Sequence, residues 1–419
     1  MNISYKISSK INKIKKNIYF KKKQIKLKDA KYWEFEDAIS HKSNKFFQIY
    51  GYYINKNFPK IKKFYQPLIS QKEIGYLVIF QAKLKNKNFF LLQLKAEPGN
   101  KNIIQLSPTI QATKSNYTRV HGGKKTKYLK YTYKKENFLL NINQPEQGSK
   151  YLNKFNKNMI IKTNKIKNLP ENFIWIEKNE LVKLSNINNL LNMDTLSVLS
   201  CYLKKNNIDK PINTLKKIND KYLNFKEKYF IKLKKVPLTK MKNWTYDNYK
   251  YFDKKNVFFK INAFKIKTDL REISHWSQPL ISDYNHGLNV LFVKKNRGTL
   301  NYLCQLVQEV GYDIPHFTST IMLKNCIHKN NDLIKSFIKK NNIKINKKVI
   351  DVNNSDEGGR FNNNQTKNIV YEINGSINKL EKLNYIWISY NQMIELLKKK
   401  LLTIELRNLF GVLNLNELK

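Results

Sequence analysis

Three segments of the chain recur at one fixed spacing. Gln66-Pro67-Leu68-Ile69-Ser70 returns as Gln278-Pro279-Leu280-Ile281-Ser282, Gln93-Leu94 with Glu97 and Gly99 returns as Gln305-Leu306 with Glu309 and Gly311, and Phe173-Ile174-Trp175-Ile176 returns as Tyr385-Ile386-Trp387-Ile388. Each pair is separated by 212 positions. A period of that length is a whole domain rather than a solenoid unit, so the chain is read as a tandem duplication. At 419 residues it is long enough for each copy to bury its own core.

The formal charge of +48 invites a nucleic-acid reading. Lys, Asn, Ile, Tyr and Phe are all abundant, however, while Gly and Pro are scarce, and the abundant residues share A/T-rich codons. The lysines are spread along the whole chain. A solvated basic surface is therefore expected, with no specific nucleic-acid partner. Against that background the five arginines, Arg119, Arg271, Arg297, Arg360 and Arg407, stand out as places where a planar fork is wanted. Cys201, Cys304 and Cys326 have no metal or redox spacing and read as reduced thiols of a cytoplasmic protein. The basic N-terminus lacks an apolar stretch for a signal peptide, and no apolar run is long enough for a membrane span.

The pattern divides the chain into a basic lead (1–30), a first copy (31–202), a Lys-rich, partly helical linker (203–268) and a diverged second copy (269–419). Apolar runs at 75–81 and 89–95 predict an antiparallel hairpin, mirrored at 288–293 and 300–307. Further strands are expected at 158–163 and 368–373 and around Trp175 and Trp387, followed by helices from 179 and 391. Strands with a few helices make each half α+β.

Several segments can carry chemistry. Glu97 leaves a core strand just before Pro98-Gly99, with Glu309 at the matching place. The stretch from Ser107 to Gly123 concentrates hydroxyls, an amide, a phenol, Arg119 and His121, donors suited to an anion. Gln144-Pro145-Glu146-Gln147-Gly148-Ser149 is matched by Ser355-Asp356-Glu357-Gly358-Gly359-Arg360, and Arg360 favours phosphate or carboxylate binding. Trp33 and Trp276, among polar neighbours, are candidate shelves for a nucleobase. His41 and His121 are the histidines worth testing; His286, His316 and His328 read as surface residues. No histidine or cysteine cluster suggests a metal, and no P-loop, GxGxxG, GxSxG or Nudix acidic helix is present.

Together these segments resemble the NDP-hexose 2,3-dehydratase family. The resemblance runs from Trp33-Glu34-Phe35 to about Leu409. It rests on Gln66-Pro67, Glu97-Pro98-Gly99, the run from Gln105 to His121, Glu146 to Ser149, and Asn192-Met193-Asp194-Thr195. In the second copy it rests on His275-Trp276 with Gln278-Pro279-Leu280, and on Glu357 to Arg360. It implies a cytoplasmic, homodimeric lyase with two Nudix-like halves and no cofactor. The lyase would act on a dTDP-4-keto-6-deoxyglucose and pass its product to a sugar 3-ketoreductase. It also implies nucleotide-sugar contacts at Trp33, Thr113, Lys114, Ser115, Asn116, Tyr117, Thr118, Arg119, Ser149, Trp276 and Arg360. Residue type then suggests Glu97 as base if burial raises its pKa, Tyr117 or His121 as acid or enolate donor, and Arg119 with Lys114 on the diphosphate. The second copy lacks an Asn-Tyr-Thr-Arg equivalent and has Val310 in place of Pro98, so chemistry is expected in the first half. The alternatives are a nucleotide-sugar-binding protein without turnover and a charge-driven polyanion binder.

Overall fold

The structure is a computed structural model that describes residues 3–120, 122–203, 205, 208–324, 330–374, 380 and 383–415. Both expected hairpins are present. Gly75–Leu84 pairs antiparallel with Lys87–Ala96, and Gly287–Asn296 with Thr299–Val307. Each turns on two left-handed residues, Lys85 and Asn86 in one and Arg297 and Gly298 in the other, the tight geometry that matches strand twist. A parallel strand joins each hairpin, Phe155–Lys162 against Gly75–Leu84 and Gln365–Asn374 against Gly287–Asn296. The Trp-bearing strands Phe173–Glu177 and Tyr385–Ser389 complete two matching seven-stranded sheets. The halves are thus α+β repeats.

The lead and the linker are not accessories. Residues 3–25 form a helix, Ile3–Asn17, and a strand, Phe20–Ile25; the stretch read as a linker repeats both as Leu215–Lys228 and Ile231–Val236. It then continues through the strands Trp244–Tyr246, Lys250–Asp253 and Phe259–Thr268. The repeat therefore begins earlier in each copy than the motif spacing suggested.

The two short strands are exchanged. Phe20–Ile25 pairs with Phe259–Thr268 of the second copy, from Phe20 opposite Thr268 to Ile25 opposite Ala263. Ile231–Val236 pairs in turn with Gln48–Lys56 of the first, from Ile231 opposite Lys56 to Val236 opposite Gly51. Trp33 and Trp244 brace the crossing symmetrically. The Trp33 indole donates to Ser277 O at 2.8 Å, and the Trp244 indole to Tyr65 O at 2.9 Å. The structural counterpart of Trp33 is thus Trp244, not Trp276.

The repeated glycines explain themselves at the same crossing. Gly99 N–H donates to Gly358 O (2.8 Å) and Gly311 N–H to Gly148 O (2.7 Å). A Cβ on Gly99 would lie 1.6 Å from Phe361 O, and one on Gly311 would lie 1.7 Å from Tyr151 O, so no side chain is tolerated. Behind the crossing the helices Met193–Cys201 and Ile404–Leu415 pack against each other in one apolar core that draws on both halves. Asn192 caps the first by accepting from Thr195 N at 2.9 Å. Cys201 and Cys304 are buried thiols; Cys326 lies outside the described residues. Among the described residues no helix is long and apolar enough to cross a membrane.

The exchange is testable by cross-linking. Lys21 faces Lys267 across the exchanged pair, whereas an unexchanged strand would sit opposite Asn55, as Lys232 does. Lys21→Cys with Lys267→Cys is expected to oxidise to an intrachain disulfide, visible as a mobility shift on non-reducing gels. Lys21→Cys with Asn55→Cys is expected to stay reduced.

Candidate active site

The crossing leaves a cavity of about 1100 Å³ walled by both copies. The first copy supplies Lys95 and Glu97 at the end of the strand Lys87–Ala96, Gln111 from Ile110–Ala112, and Glu146, Tyr151, Lys154 and Asn156 from the turn and strand that follow. Asp194 enters from the start of the Asn192-capped helix. The second copy adds Arg271, Trp276, Gln278, Glu357 and Arg360. An aromatic rim of Trp33, His41, Phe46 and Phe47 closes one side; His41 lies 4.5 Å from Phe46 and edge-on to Trp33 at 5.5 Å.

Four of the carboxyl groups that line the cavity stand in different surroundings. Burial pushes the Glu97 carboxyl up, but Lys95 and Arg271 outweigh it and hold the group below the usual carboxylate range. Its Oε1 is 3.2 Å from Lys95 Nζ and 3.2 Å from Arg271 Nη1. The expectation that burial would make Glu97 a strong base is therefore corrected: it is a firmly held anion. Glu357 lies opposite. Burial, with the Glu97 charge nearby, pushes it up to about 7 against the pull of Arg360 and Lys95. Its Oε1 accepts from Gly359 N at 2.9 Å, so the turn that Gly358 and Gly359 make possible also orients the carboxyl. Burial, reinforced by Glu146, Glu357 and Glu97, drives Asp194 well above the carboxylate range. Burial likewise raises Glu146, partly offset by Arg407, while Asn156 donates to it at 2.9 Å. Carboxyls of opposed proton affinity in one cavity are the arrangement for general acid–base chemistry.

Of the residues singled out from sequence, the cavity gathers Trp33, Glu97, Thr113, Ser115, Asn116, Trp276 and Arg360. It does not gather Lys114, Tyr117, Thr118 or Arg119. The short helix Lys114–Tyr117 sends Ser115 and Asn116 inward and Lys114 outward. Tyr117 stacks on Tyr76 at 4.9 Å, and Thr118 bonds back to Lys114 O. Arg119 is exposed, sits in a left-handed turn and donates to Gly123 O at 3.0 Å. Ser149 lines a second cavity on the far side of the crossing, and His121 lies outside the described residues. His316, read as a surface residue, is buried, and burial lowers its pKa to about 4.

Sequence reading missed Lys95, Gln111, Lys154, Asp194, Arg271 and Glu357 as individual site residues. Arg271 and Glu357 left signals: the first is one of five arginines, the second shares its motif with Arg360.

The second cavity is the repeat's counterpart of the first, with a different lining. Symmetry places Val307 where Lys95 stands, Met322 at the place of Gln111 and Gln147 at the place of Glu357. Glu309, the counterpart of Glu97, has lost both cationic partners, and burial pushes it up to about 8. Nearby, Lys324 pairs with the buried Glu405.

A site that pairs acid–base carboxyls with guanidinium and aromatic groups is that of an enzyme acting on an anionic ligand with a planar part. The chain belongs to the NDP-hexose 2,3-dehydratase family, whose model matches residues 5–202 and again 216–413. A dTDP-4-dehydro-6-deoxy-alpha-D-glucopyranose 2,3-dehydratase from Amycolatopsis orientalis is 28% identical over 410 residues, covering 94% of this chain and 87% of its own. One of the same description from Saccharopolyspora spinosa is 26% identical over 417 residues, covering 91% and 85%. A third, from Streptomyces violaceoruber, is 29% identical over 301 residues, 68% of each chain.

Glu309 gives a stability prediction. Its folded pKa is raised, so the folded state holds a proton that the unfolded state has released. Its contribution is present below the ordinary carboxylate range and lost as pH rises to about 8. Glu309→Gln is expected to flatten the fall of Tm between pH 6 and 8 relative to the unmodified chain, measured by thermal unfolding.

Proposed function

We propose that the chain is a hydro-lyase that removes water across C2 and C3 of a dTDP-4-keto-6-deoxyglucose, at the cavity both copies build. The observation that carries this reading is the set of carboxyls gathered there, one ion-paired to Lys95 and Arg271, one pushed up to about 7 and one pushed well above its ordinary value by burial, in a member of a dehydratase family. The substrate is taken from the names of the relatives.

The C4 ketone acidifies the C3–H bond. Glu357, with a pKa of about 7, is matched to take that proton at neutral pH. The cations Lys95 and Arg271, anchored by Glu97, supply positive charge for the enolate that forms on the C4 oxygen. Glu97 thus becomes the holder of the enolate cradle. Asp194, whose proton affinity burial and its acidic neighbours raise, gives its proton to the departing C2 hydroxyl. Loss of that hydroxyl leaves an enol at C3 that rearranges to a 3,4-diketone, the species a 3-ketoreductase would consume. Arg360 meets the diphosphate, and Trp33, Phe46 and Trp276 offer faces to the base.

Several companion features remain expectations carried by the family resemblance: a Nudix-like fold in each half, a homodimer, a cytoplasmic location and coupling to a ketoreductase. A binding protein without turnover is the weaker reading, because the first cavity holds Lys95 and Glu357 where the symmetry-matched positions are Val307 and Gln147.

The test is the keto sugar incubated with enzyme and a trapping 3-ketoreductase. Glu357→Gln is expected to lower kcat by about 10²–10⁴ and to erase the rise of activity with pH near 7, with dTDP binding retained. Full dehydration by Glu357→Gln removes it as base. No dehydration by the unmodified chain ends the proposal.

A further inference from the structure

The duplicated site offers a comparison within one molecule. Tyr151 pairs in parallel with Ile69, and Phe361 with Ile281, which makes the preceding residues Lys150 and Arg360 equivalent. Each cation lies on an equivalent ring. The Arg360 guanidinium carbon is 4.2 Å from the centroid of Phe47, and the Lys150 ammonium 4.1 Å from that of Phe259. Each also faces the residue that follows the repeated Gln-Pro-Leu-Ile-Ser strand, which is Gln71 for Arg360 and Asp283 for Lys150.

There the likeness stops. Lys150 forms an ion pair with Asp283, with both side chains buried at 4% and 6% exposure, and neither residue lines the second cavity. Arg360 Nη2 reaches Gln71 Oε1, a neutral acceptor, at 3.4 Å and Nη1 donates to Gly359 O at 2.8 Å, while the Gln71 amide nitrogen donates away from the guanidinium to the Glu73 carboxylate. Among the described residues no carboxylate stands within ion-pairing distance of Arg360, its Nε is buried without a partner, and both Arg360 and Gln71 line the first cavity. A carboxylate at that place would take the guanidinium in a charge-assisted pair and leave little net field for an incoming anion.

Resting on the reading that this cavity takes a sugar diphosphate, we propose that Gln71 is a positioning residue of the site: its uncharged amide steers Arg360 over Phe47 without neutralising it, so the charge stays available to the diphosphate. In the second copy Asp283 occupies the place of a ligand's anion, and that half's cation is consumed by the fold. The residue after the repeated strand therefore leaves the cation unneutralised in one copy and pairs it in the other.

Gln71→Asp transplants the second copy's arrangement into the first, and Gln71→Asn keeps the seat neutral. Calorimetric titration of the full chain with dTDP is expected to show Gln71→Asp weakened by about tenfold or more, with Gln71→Asn within about threefold of the unmodified chain. KM for the keto sugar should rise with the dTDP dissociation constant while kcat at saturation holds. A merely structural role would lower kcat and Tm in both variants alike. Should Gln71→Asp fail to fold, Gln71→Glu carries the same test. Equal dTDP affinity in the acidic variant, or equal loss in Gln71→Asn, overturns the proposal. An unmodified chain that binds no dTDP overturns the functional reading beneath it as well, so the two failures are told apart.

Discussion

Everything at the candidate active site depends on the crossing of the two copies. The glycine contacts, Gly99 to Gly358 and Gly311 to Gly148, bring a strand end of one half against a turn of the other more closely than any side chain would permit. The exchanged strands and the paired tryptophans then fix the halves in register. Glu97 and Glu357 influence each other's protonation only because that contact is so tight. A lysine from one half and an arginine from the other hold Glu97 ionised, and the charge so fixed raises Glu357. Packing and proton affinity are the same fact seen at two scales.

Much of the architecture was legible in sequence because it is local or periodic. The hairpins, the Trp-bearing strands and the helices after them follow from short apolar runs and turn residues. The exchanged strands do not. Phe20–Ile25 and Ile231–Val236 bury only one thin face and are otherwise lysines, so they read as solvated lead and linker. The site divided in the same way. Residues on one continuous wall, such as Thr113, Ser115 and Asn116, were found together with their neighbours Lys114, Thr118 and Arg119, which the turn of a short helix points elsewhere. Rarity singled out Arg119, which the structure places outside the cavity in a left-handed turn. The roles of Glu357 and Arg271 were hidden because their partner, Glu97, lies far away in sequence and comes near only through the crossing.

The chain's large positive charge takes on a narrower meaning beside this cavity. The surface lysines make a diffuse field that raises encounter rates with any anion and discriminates little. The buried cations differ from that field in having definite partners: Lys95 and Arg271 on Glu97, Lys324 on Glu405 and Lys150 on Asp283, with Arg360 left facing the neutral Gln71 oxygen. Arg407, wholly buried between the copies, donates to Ser197 and to Pro145 O and tempers Glu146.

The exchanged strands carry a lesson about history. In a chain with only one such unit the same exchange needs a twin molecule, giving a symmetric pair with two identical clefts in which every substitution appears twice. Joining the twins end to end preserves the embrace while releasing each cleft from its mirror image. Each can then differ from the other while still bracing it, which is the asymmetry of Val307, Met322 and Gln147 against Lys95, Gln111 and Glu357.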